Sequence, residues 1–103
     1  MIAHIAGLGW IGKNCLLITE RNGPRVRFVS ILTNAPIEAI DNQIEEKCGN
    51  CTKCQEICPT RSIKGKNYKN GEPREVRLEY EKCKNYLKAL GENNKYSVCG
   101  MCL

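Results

Sequence analysis

Four cysteines at fixed spacing constrain this chain more than any other feature. They form the run Cys-x2-Cys-x2-Cys-x3-Cys-Pro, with cysteines at Cys48, Cys51, Cys54 and Cys58 followed by Pro59. Three thiolates spaced three residues apart wrap one turn of chain around a face of a metal cluster, and a short helical turn carries the fourth away. The proline fixes the local backbone and turns the chain from the site. The spacing therefore predicts iron–sulfur ligation.

In bacterial ferredoxins the fourth cysteine of this run ligates a second cluster. Cys58 therefore predicts a further set of ligands, and Cys83, Cys99 and Cys102 supply it, the last two as Cys-Gly-Met-Cys. We expect two [4Fe-4S] clusters, one on these four cysteines and one on the first three cysteines of the run. The missing fourth ligand would be a second Cys-Pro about four residues past Cys102. We therefore expect a chain cut before that ligand or, failing that, a three-thiolate site.

The rest of the composition favours metal ligation over disulfides. The 103 residues include eight cysteines, 16 basic and 11 acidic side chains and one histidine. No apolar run approaches the ~18 residues of a membrane helix, and the first residues lack a secretory signal. We expect a cytoplasmic protein with no membrane partner, in a compartment that keeps thiols reduced. Binding of one four-thiolate and one three-thiolate cluster would lower the formal charge of +5 to about +2.

Composition divides the chain into two modules. Residues 1–34 contain most of the aliphatic and β-branched runs, residues 35–44 form a connector, and residues 45–103 contain seven of the eight cysteines. The last module is predicted to be a ferredoxin-type double-cluster domain of short helices and loops. Its helical pattern runs over 74–90 and predicts a helix that ends at Gly91.

Local signals predict the elements of the first module. Residues 2–6 are typical of a helix end that stops at Gly7. The runs 15–19 and 25–33 predict strands, and the Asn-Gly pair in the turn 20–24 between them predicts a β-hairpin. Two strands and a helix end are too little to close a core. The fold class predicted for the whole chain is α+β.

Other cysteine patterns have simpler interpretations. The pairs Cys48/Cys51 and Cys99/Cys102 could form a four-thiolate zinc site, an alternative that leaves three other cysteines without a role. Cys15 stands alone in a strand-like run, where a single cysteine is typically a small buried hydrophobe. The iron–sulfur prediction uses the seven remaining cysteines and is preferred.

The glycine-rich stretch at 7–14 matches two nucleotide-binding patterns by letter only. It fits G-x-G-x-x-G, but a dinucleotide site needs a strand before the glycines and a full helix after them. It fits the phosphate-binding loop except at Asn14, where Ser or Thr must bind magnesium. Both matches are judged accidental. The single histidine, His4, is interpreted as a surface or packing residue.

The segment 61–84 is basic, with eight basic and four acidic residues around Tyr68 and Tyr80. Such a pattern could contact RNA or dock an acidic electron donor. The simpler interpretation is a solvated helix face beside anionic clusters. Both interpretations remain open from the sequence.

The order of the motifs resembles the epoxyqueuosine reductases and the related reductive dehalogenases. The resemblance rests on Ala-Gly-Leu-Gly-Trp-Ile-Gly-Lys-Asn at 6–14, Gly-Pro-Arg-Val-Arg at 23–27 and Leu-Thr at 32–33, followed by the ferredoxin run. It is closest to the branch with a 4Fe-4S double-cluster domain, where a stretch like Gly-Glu-Pro-Arg-Glu at 71–75 precedes the isolated cysteine, here Cys83. The resemblance covers nearly the whole chain.

That resemblance implies an oxidoreductase whose catalytic part lies upstream of this chain, so that the chain itself holds no catalytic residue. Residues 1–34 would be a remnant of an α/β cobalamin-binding domain, and the two clusters would pass electrons singly to cobalt. It also implies a tRNA substrate and an electron donor of ferredoxin or flavodoxin type. The alternative is a free-standing ferredoxin-type carrier, which has no need of the first 34 residues. The residues implied at the corrinoid edge are Gly7, Gly9, Trp10, Gly12, Lys13, Arg25 and Arg27.

Overall fold

The computed structural model describes residues 2–38, 42–93 and 96–103. Its elements are helix α1 (Ile2–Ile5), strands β1 (Trp10–Ile11) and β2 (Leu17–Ile18), helix α2 (Lys53–Glu56), a 3-10 turn (Arg74–Val76) and helix α3 (Tyr80–Asn93). This mixture of helices with one antiparallel strand pair agrees with the α+β class. Across the described ranges, none of the helices has the length and apolar character needed to cross a membrane.

Helix α1 ends where its glycine predicts. Gly7 has a φ of +69°, and the N–H groups of Gly7 and Leu8 donate to the carbonyls of His4 and Ala3 at 3.0 Å each. These two bonds form a Schellman motif, which requires a left-handed residue and so favours glycine. The predicted stop at Gly7 is confirmed.

The predicted strand at 15–19 pairs with the chain before it. In the antiparallel pair β1–β2, Trp10 lies opposite Ile18 and Ile11 opposite Leu17. Gly9 makes this approach possible, because a Cβ atom at that position would lie 2.2 Å from the carbonyl oxygen of Ile18. The predicted pairing of 15–19 with 25–33 is therefore wrong.

The turn between the predicted strands is present, but the second strand is not. Thr19 and Gly23 exchange two backbone hydrogen bonds of 2.9 Å across this turn. Beyond it, the run 25–33 has no strand, and Ile31 and Leu32 are 82% and 98% exposed. β-Propensity reflects how well a side chain fits a half-buried sheet surface. The described residues offer this run no such surface, so its β-branched composition does not produce a strand.

The helix predicted over 74–90 is interrupted near its start. After the 3-10 turn, the backbone leaves helical geometry and pairs with an earlier segment. Lys64 N–H donates to the carbonyl of Arg77 at 2.8 Å, and Glu79 N–H donates to the carbonyl of Ser62 at 2.9 Å. Because these bonds engage backbone groups that a continuous helix would use, α3 begins only at Tyr80.

The other end of that prediction also needs correction. Helix α3 passes through Gly91 and ends at Asn93. A Cβ atom at Gly91 would lie 2.1 Å from the hydroxyl oxygen of Ser97. The glycine therefore allows the following segment to approach the helix closely and does not end it.

The division into modules stays a prediction. Residues 35–38 and 42–44 of the predicted connector contain no helix or strand, and residues 39–41 lie outside the described ranges. Side chains at 13 and 14 donate hydrogen bonds to backbone carbonyls at 51 and 102. The first 34 residues therefore pack directly against the cysteine-rich part.

The described residues form almost no hydrophobic core. Ile63 is their one buried hydrophobic side chain, and it forms a backbone bridge with Leu78. The other buried side chains described are polar: Lys13, Asn14, Ser62 and Arg77. All eight cysteines are free thiols. Small domains with so little apolar burial usually depend on a metal, disulfides or a partner for stability.

Candidate metal centres

Five cysteines line one cavity of about 430 Å³, which we call the Cys58 cavity, and four of them are the predicted ligands Cys58, Cys83, Cys99 and Cys102. Cys58 follows α2, Cys83 lies in the first turn of α3, and Cys99 and Cys102 lie near the end of the chain. Their thiols are close enough to influence one another electrostatically. The structure thus brings together the four residues predicted as one ligand set.

The wall of the Cys58 cavity is largely apolar. Burial raises the pKa of the Cys83 thiol and of the Cys102 thiol, and the neighbouring thiols raise both further. These two thiols therefore keep their protons more readily than an exposed cysteine does. The apolar and aromatic residues of the wall are Leu16, Pro59, Ile63, Leu78, Tyr80, Tyr86, Leu87, Val98, Met101 and Leu103.

Cys58 differs from its neighbours because the chain folds back around its sulfur. Burial alone would raise the pKa of its thiol, but hydrogen bonds from the Thr60 hydroxyl and from the backbone N–H groups of Ser62, Thr60 and Ile63 lower it to about 7. Arg61 turns the backbone inward with a φ of +50°. Successive N–H groups that converge in this way form an anion-binding concavity.

The residues that follow Pro59 contact the Cys58 sulfur, and the sequence analysis did not single them out. The Thr60 hydroxyl lies 3.5 Å from the Cys58 sulfur and is hydrogen bonded to the hydroxyl of Ser62, which is fully buried. The available signal was a Thr-x-Ser pattern directly after the Cys-Pro pair. Such hydroxyls are common in turns, so the pattern alone does not point to the sulfur.

The first three cysteines of the run line a second cavity of about 300 Å³, the Cys48 cavity. The backbone turns tightly here, since Cys51 N–H donates to the carbonyl of Cys48 at 2.8 Å. The Glu46 carboxylate accepts hydrogen bonds from the N–H groups of Cys48 and Gly49. Burial raises the pKa of the Cys54 thiol, and the thiols of Cys48 and Cys51 raise it further. The predicted helical turn within the run is α2.

The two Cys-x2-Cys pairs of the zinc alternative do not share one cavity. Cys48 and Cys51 line the Cys48 cavity, Cys99 lines the Cys58 cavity, and Cys102 borders both. Within the described part of the chain, no three His, Cys, Asp or Glu side chains are placed to hold a single metal ion. Because Cys102 borders both cavities, the division of the cysteines into two ligand sets stays a prediction. Metal binding itself stays a prediction.

Cys15 is the fifth thiol that lines the Cys58 cavity. It lies in the turn before β2 with a φ of +62° and is half-buried. Burial raises the pKa of its thiol, while the positive charges of Arg77 and Arg74 oppose that rise. The sequence analysis expected a strand residue here, and this expectation is wrong because β2 starts at Leu17.

The loop between β1 and β2 holds both cysteine segments. The Lys13 ammonium donates a 2.9 Å hydrogen bond to the carbonyl of Cys51. The Asn14 side-chain amide donates to the carbonyl of Cys102 at 2.7 Å, and its oxygen accepts from Leu16 N–H at 3.2 Å. Lys13 and Asn14 are 5% and 7% exposed. Two adjacent buried polar residues thus connect the first module to the two cavities.

Four positions of the implied corrinoid edge take part in contacts within the chain. Gly7 ends α1, and Gly9 and Gly12 pack against Ile18, whose Cδ1 atom would lie 2.4 Å from a Cβ atom at Gly12. Lys13 contacts the backbone of the cysteine run. These contacts account for the three glycines and for Lys13 without any contact to a corrinoid.

The remaining three positions lie elsewhere. Trp10 is half-buried, and the Lys47 ammonium lies 5.9 Å from the centre of its ring. Arg25 and Arg27 are exposed on the segment that follows the turn. The structure gathers none of these three with the glycines around a shared cavity among the described residues. A corrinoid contact at the seven positions stays a prediction.

The two tyrosines of the basic segment pack against arginines of the same segment. The Arg77 guanidinium lies 4.8 Å from the centre of the Tyr68 ring, and that of Arg74 lies 4.5 Å from the Tyr80 ring. His4 contacts Tyr68 edge to face at 5.5 Å and donates from Nδ1 to the carbonyl of Gly9 at 2.9 Å. His4 therefore packs at the end of α1, as a packing residue would. Docking of RNA or of an electron donor on the basic segment 61–84 stays a prediction.

Comparison with known proteins finds relatives that are named epoxyqueuosine reductase. The relative from Bacillus anthracis is 45% identical over 62 residues, which are 60% of this chain and 16% of the relative. The one from Listeria monocytogenes is 42% identical over 69 residues, covering 67% of this chain and 18% of the relative. The one from Pseudomonas aeruginosa is 34% identical over 86 residues, covering 84% and 21%.

The chain spans about a fifth of the length of these curated relatives. No family model matches it, and no solved structure matches it. The similarity therefore identifies homologues among reductases and concerns only one segment of each of them.

Proposed function

We propose that this chain is the iron–sulfur electron-transfer segment of an epoxyqueuosine reductase-like enzyme. In this proposal the Cys58 cavity holds one [4Fe-4S] cluster, and Cys48, Cys51 and Cys54 are three ligands of a second. The observation that carries the proposal is the convergence of four thiols, from three separate parts of the chain, on one largely apolar cavity. Iron–sulfur clusters are held by four thiolates and tuned by burial and hydrogen bonds to sulfur.

The residues present fit such a group. The donors are thiols, and the concavity of N–H groups around Cys58 suits an anionic sulfur. The scarcity of buried apolar side chains fits a domain whose folding is completed by metal binding. When bound, clusters of this kind supply one-electron transfer. The chain's own part is to hold the sulfurs, to exclude water with the apolar wall, and to place hydrogen-bond donors at Cys58.

The wider activity is proposed from the named relatives. The longer protein would be a cobalamin-dependent reductase that acts on epoxyqueuosine in tRNA in the cytoplasm, and an electron donor of ferredoxin or flavodoxin type would supply this segment. Of the positions implied at the corrinoid edge, Arg25 and Arg27 are exposed and available to a ligand.

Iron and acid-labile sulfide per chain after anaerobic reconstitution test the cluster assignment, together with low-temperature paramagnetic resonance of the reduced protein. About eight of each, with two interacting signals, is the result expected for two [4Fe-4S] clusters. About four of each, or a three-iron signal beside one cubane, would leave one complete centre in the Cys58 cavity. Zinc without sulfide would overturn the proposal.

Titration of the reconstituted chain with cobalamin tests the reductase assignment separately. A change in the corrinoid absorption spectrum is expected if the first 34 residues contribute to a corrinoid edge. Absence of binding while both clusters are present would count against the reductase assignment and favour the electron-carrier alternative.

A further inference from the structure

Lys13 is a buried cation without an acidic partner among the described residues. Its side chain is 5% exposed, and its ammonium donates to the carbonyl of Cys51 at 2.9 Å. The ion pairs between described residues are Lys47–Glu20, Lys82–Glu79 and Lys84–Glu81, all of them exposed. Removing an ammonium from water is costly unless an opposite charge lies nearby. None of these ion pairs includes Lys13, and the one side-chain carboxylate among the described residues that lines a cavity with it, Glu72, makes no ion pair with it. The buried position therefore favours a further anion close to the ammonium.

The surroundings of Lys13 indicate which anion this is. Lys13 lines the Cys48 cavity together with Cys48, Cys51 and Cys54. Cys102 also borders this cavity. As cluster ligands, the thiols of Cys48, Cys51 and Cys54 would be thiolates, and the cluster would carry their negative charge. Lys53 also lines the cavity but is exposed, so water screens its charge.

We propose that Lys13 is the buried counter-charge of the cluster in the Cys48 cavity and raises the reduction potential of that cluster. This inference rests on the proposed function and adds an electrostatic role for one residue. Reduction adds one electron, and therefore one negative charge, to the cavity. A fixed positive charge stabilises the reduced state more than the oxidised state, so the potential rises. Asn14, the neighbour of Lys13, donates a hydrogen bond to the carbonyl of Cys102 but is neutral. It therefore adds no positive charge near the Cys58 cavity.

The experiment is a redox titration of the reconstituted chain with dithionite as the electron donor, followed by paramagnetic resonance. Lys13→Met keeps the length of the side chain and removes its charge. We expect its Cys48-cavity signal to have a lower midpoint potential, by at least the 59 mV that corresponds to a tenfold change in a one-electron equilibrium. The signal of the Cys58 cavity should keep its potential and serves as an internal reference.

Two further variants separate charge from structure. Lys13→Arg keeps the charge and should stay close to the unmodified chain. Lys53→Met removes an exposed charge from the same cavity and should shift the potential much less than Lys13→Met. Iron and sulfide contents of all variants report whether the cluster is retained.

The outcomes are distinct. An unchanged potential in Lys13→Met, or a shift equal to that of Lys53→Met, overturns the inference. Loss of the cluster in Lys13→Met with retention in Lys13→Arg supports the charge requirement, whereas loss in both variants overturns it. If the unmodified chain binds a cluster only in the Cys58 cavity, the inference fails while part of the proposed function stands. If it binds no iron and sulfide at all, the proposed function itself fails.

Discussion

The two cysteine cavities differ in how their thiols are brought together. The Cys48 cavity takes three thiols from one short run, where a tight turn and α2 set their spacing, and Cys51 remains exposed. The Cys58 cavity is lined by four predicted ligand thiols from three distant parts of the chain and also by Cys15, and its wall is largely apolar. Spacing along one short run therefore brings the thiols of the Cys48 cavity together, whereas the thiols of the Cys58 cavity meet only when distant segments pack.

Replacing one cysteine of each set should give the largest difference between the cavities. In Cys58→Ala we expect the signal of the Cys58 cavity to disappear, with a loss of about half of the iron and sulfide, because a four-thiolate cluster loses a ligand. In Cys48→Ala that signal should persist. Paramagnetic resonance and metal analysis of the reconstituted variants measure both effects. Equal loss of the Cys58-cavity signal in the two variants would contradict the assignment of the ligand sets.

The strand pair that flanks the loop between β1 and β2 should be sensitive to an added methyl group at Gly9, directly before β1. In Gly9→Ala the new Cβ atom would meet the backbone carbonyl of Ile18, and a backbone atom cannot move aside cheaply. We expect a loss of about 3 kcal/mol in the free energy of unfolding, at the upper end for overpacking. Gly23→Ala is the control, since its Cβ atom would meet nothing within 4 Å. Its left-handed φ should cost about 1 kcal/mol. If urea unfolding gave the same loss of unfolding free energy for Gly9→Ala and Gly23→Ala, the close approach of Gly9 to Ile18 would be refuted.

The hydrogen bond from Asn14 tests the connection to the Cys58 cavity. Asn14→Leu keeps the side chain's size but leaves the carbonyl of Cys102 without its donor. We expect a loss of about 2 kcal/mol in urea unfolding of the reconstituted chain, the usual cost of a buried group left unsatisfied. Asn85→Ala, on the exposed surface of α3, should have little effect. Similar losses in the two variants would mean that this bond does not stabilise the cavity.

The smallest expected effect concerns the thiol chemistry of the metal-free chain. Since only the thiolate reacts with iodoacetamide and the pKa of Cys58 is lowered to about 7, its alkylation rate should rise through about pH 7. Cys83 and Cys102 should react at higher pH, because burial raises the pKa of both thiols. Residue-resolved mass spectrometry measures each rate.

A substitution at Thr60 sharpens this contrast. Thr60→Val removes the hydroxyl donor beside the Cys58 sulfur and raises the pKa of that thiol. We expect the Cys58 alkylation rate at pH 7 to fall about threefold, the size of one weak hydrogen bond. Thr33→Val, on an exposed segment, should leave it unchanged. A common pH midpoint for all the thiols would mean that the turn around Cys58 is absent from the metal-free chain.

Two predictions that depend only on neighbouring residues succeeded, whereas the predicted helix stop at Gly91 did not, because Ser97 approaches that glycine. The stop of α1 at Gly7 and the turn closed by Gly23 follow from hydrogen bonds between residues at most five positions apart. The helical turn inside the cysteine run is equally local. Each of these features is stabilised by backbone groups that a short peptide already contains, so the sequence pattern is sufficient to predict them.

Predictions that depend on distant partners failed. The run 25–33 has the composition of a strand but no partner in the described chain, and β2 pairs instead with β1. The helical pattern that starts at residue 74 is broken because Arg77 and Glu79 pair with a segment about fifteen residues earlier. Propensity is a weak preference, and tertiary hydrogen bonds override it.

The sequence by itself determined the inventory of this protein: eight cysteines with ferredoxin-like spacing among them, the turn glycines, and a net positive charge. Only the tertiary structure decided which thiols share a cavity, that Lys13 and Asn14 are buried against cysteine carbonyls, and that donors surround Cys58. The reason is physical. Ligand spacing and turn geometry are properties of short segments, whereas burial and electrostatic neighbours exist only after distant segments have packed together.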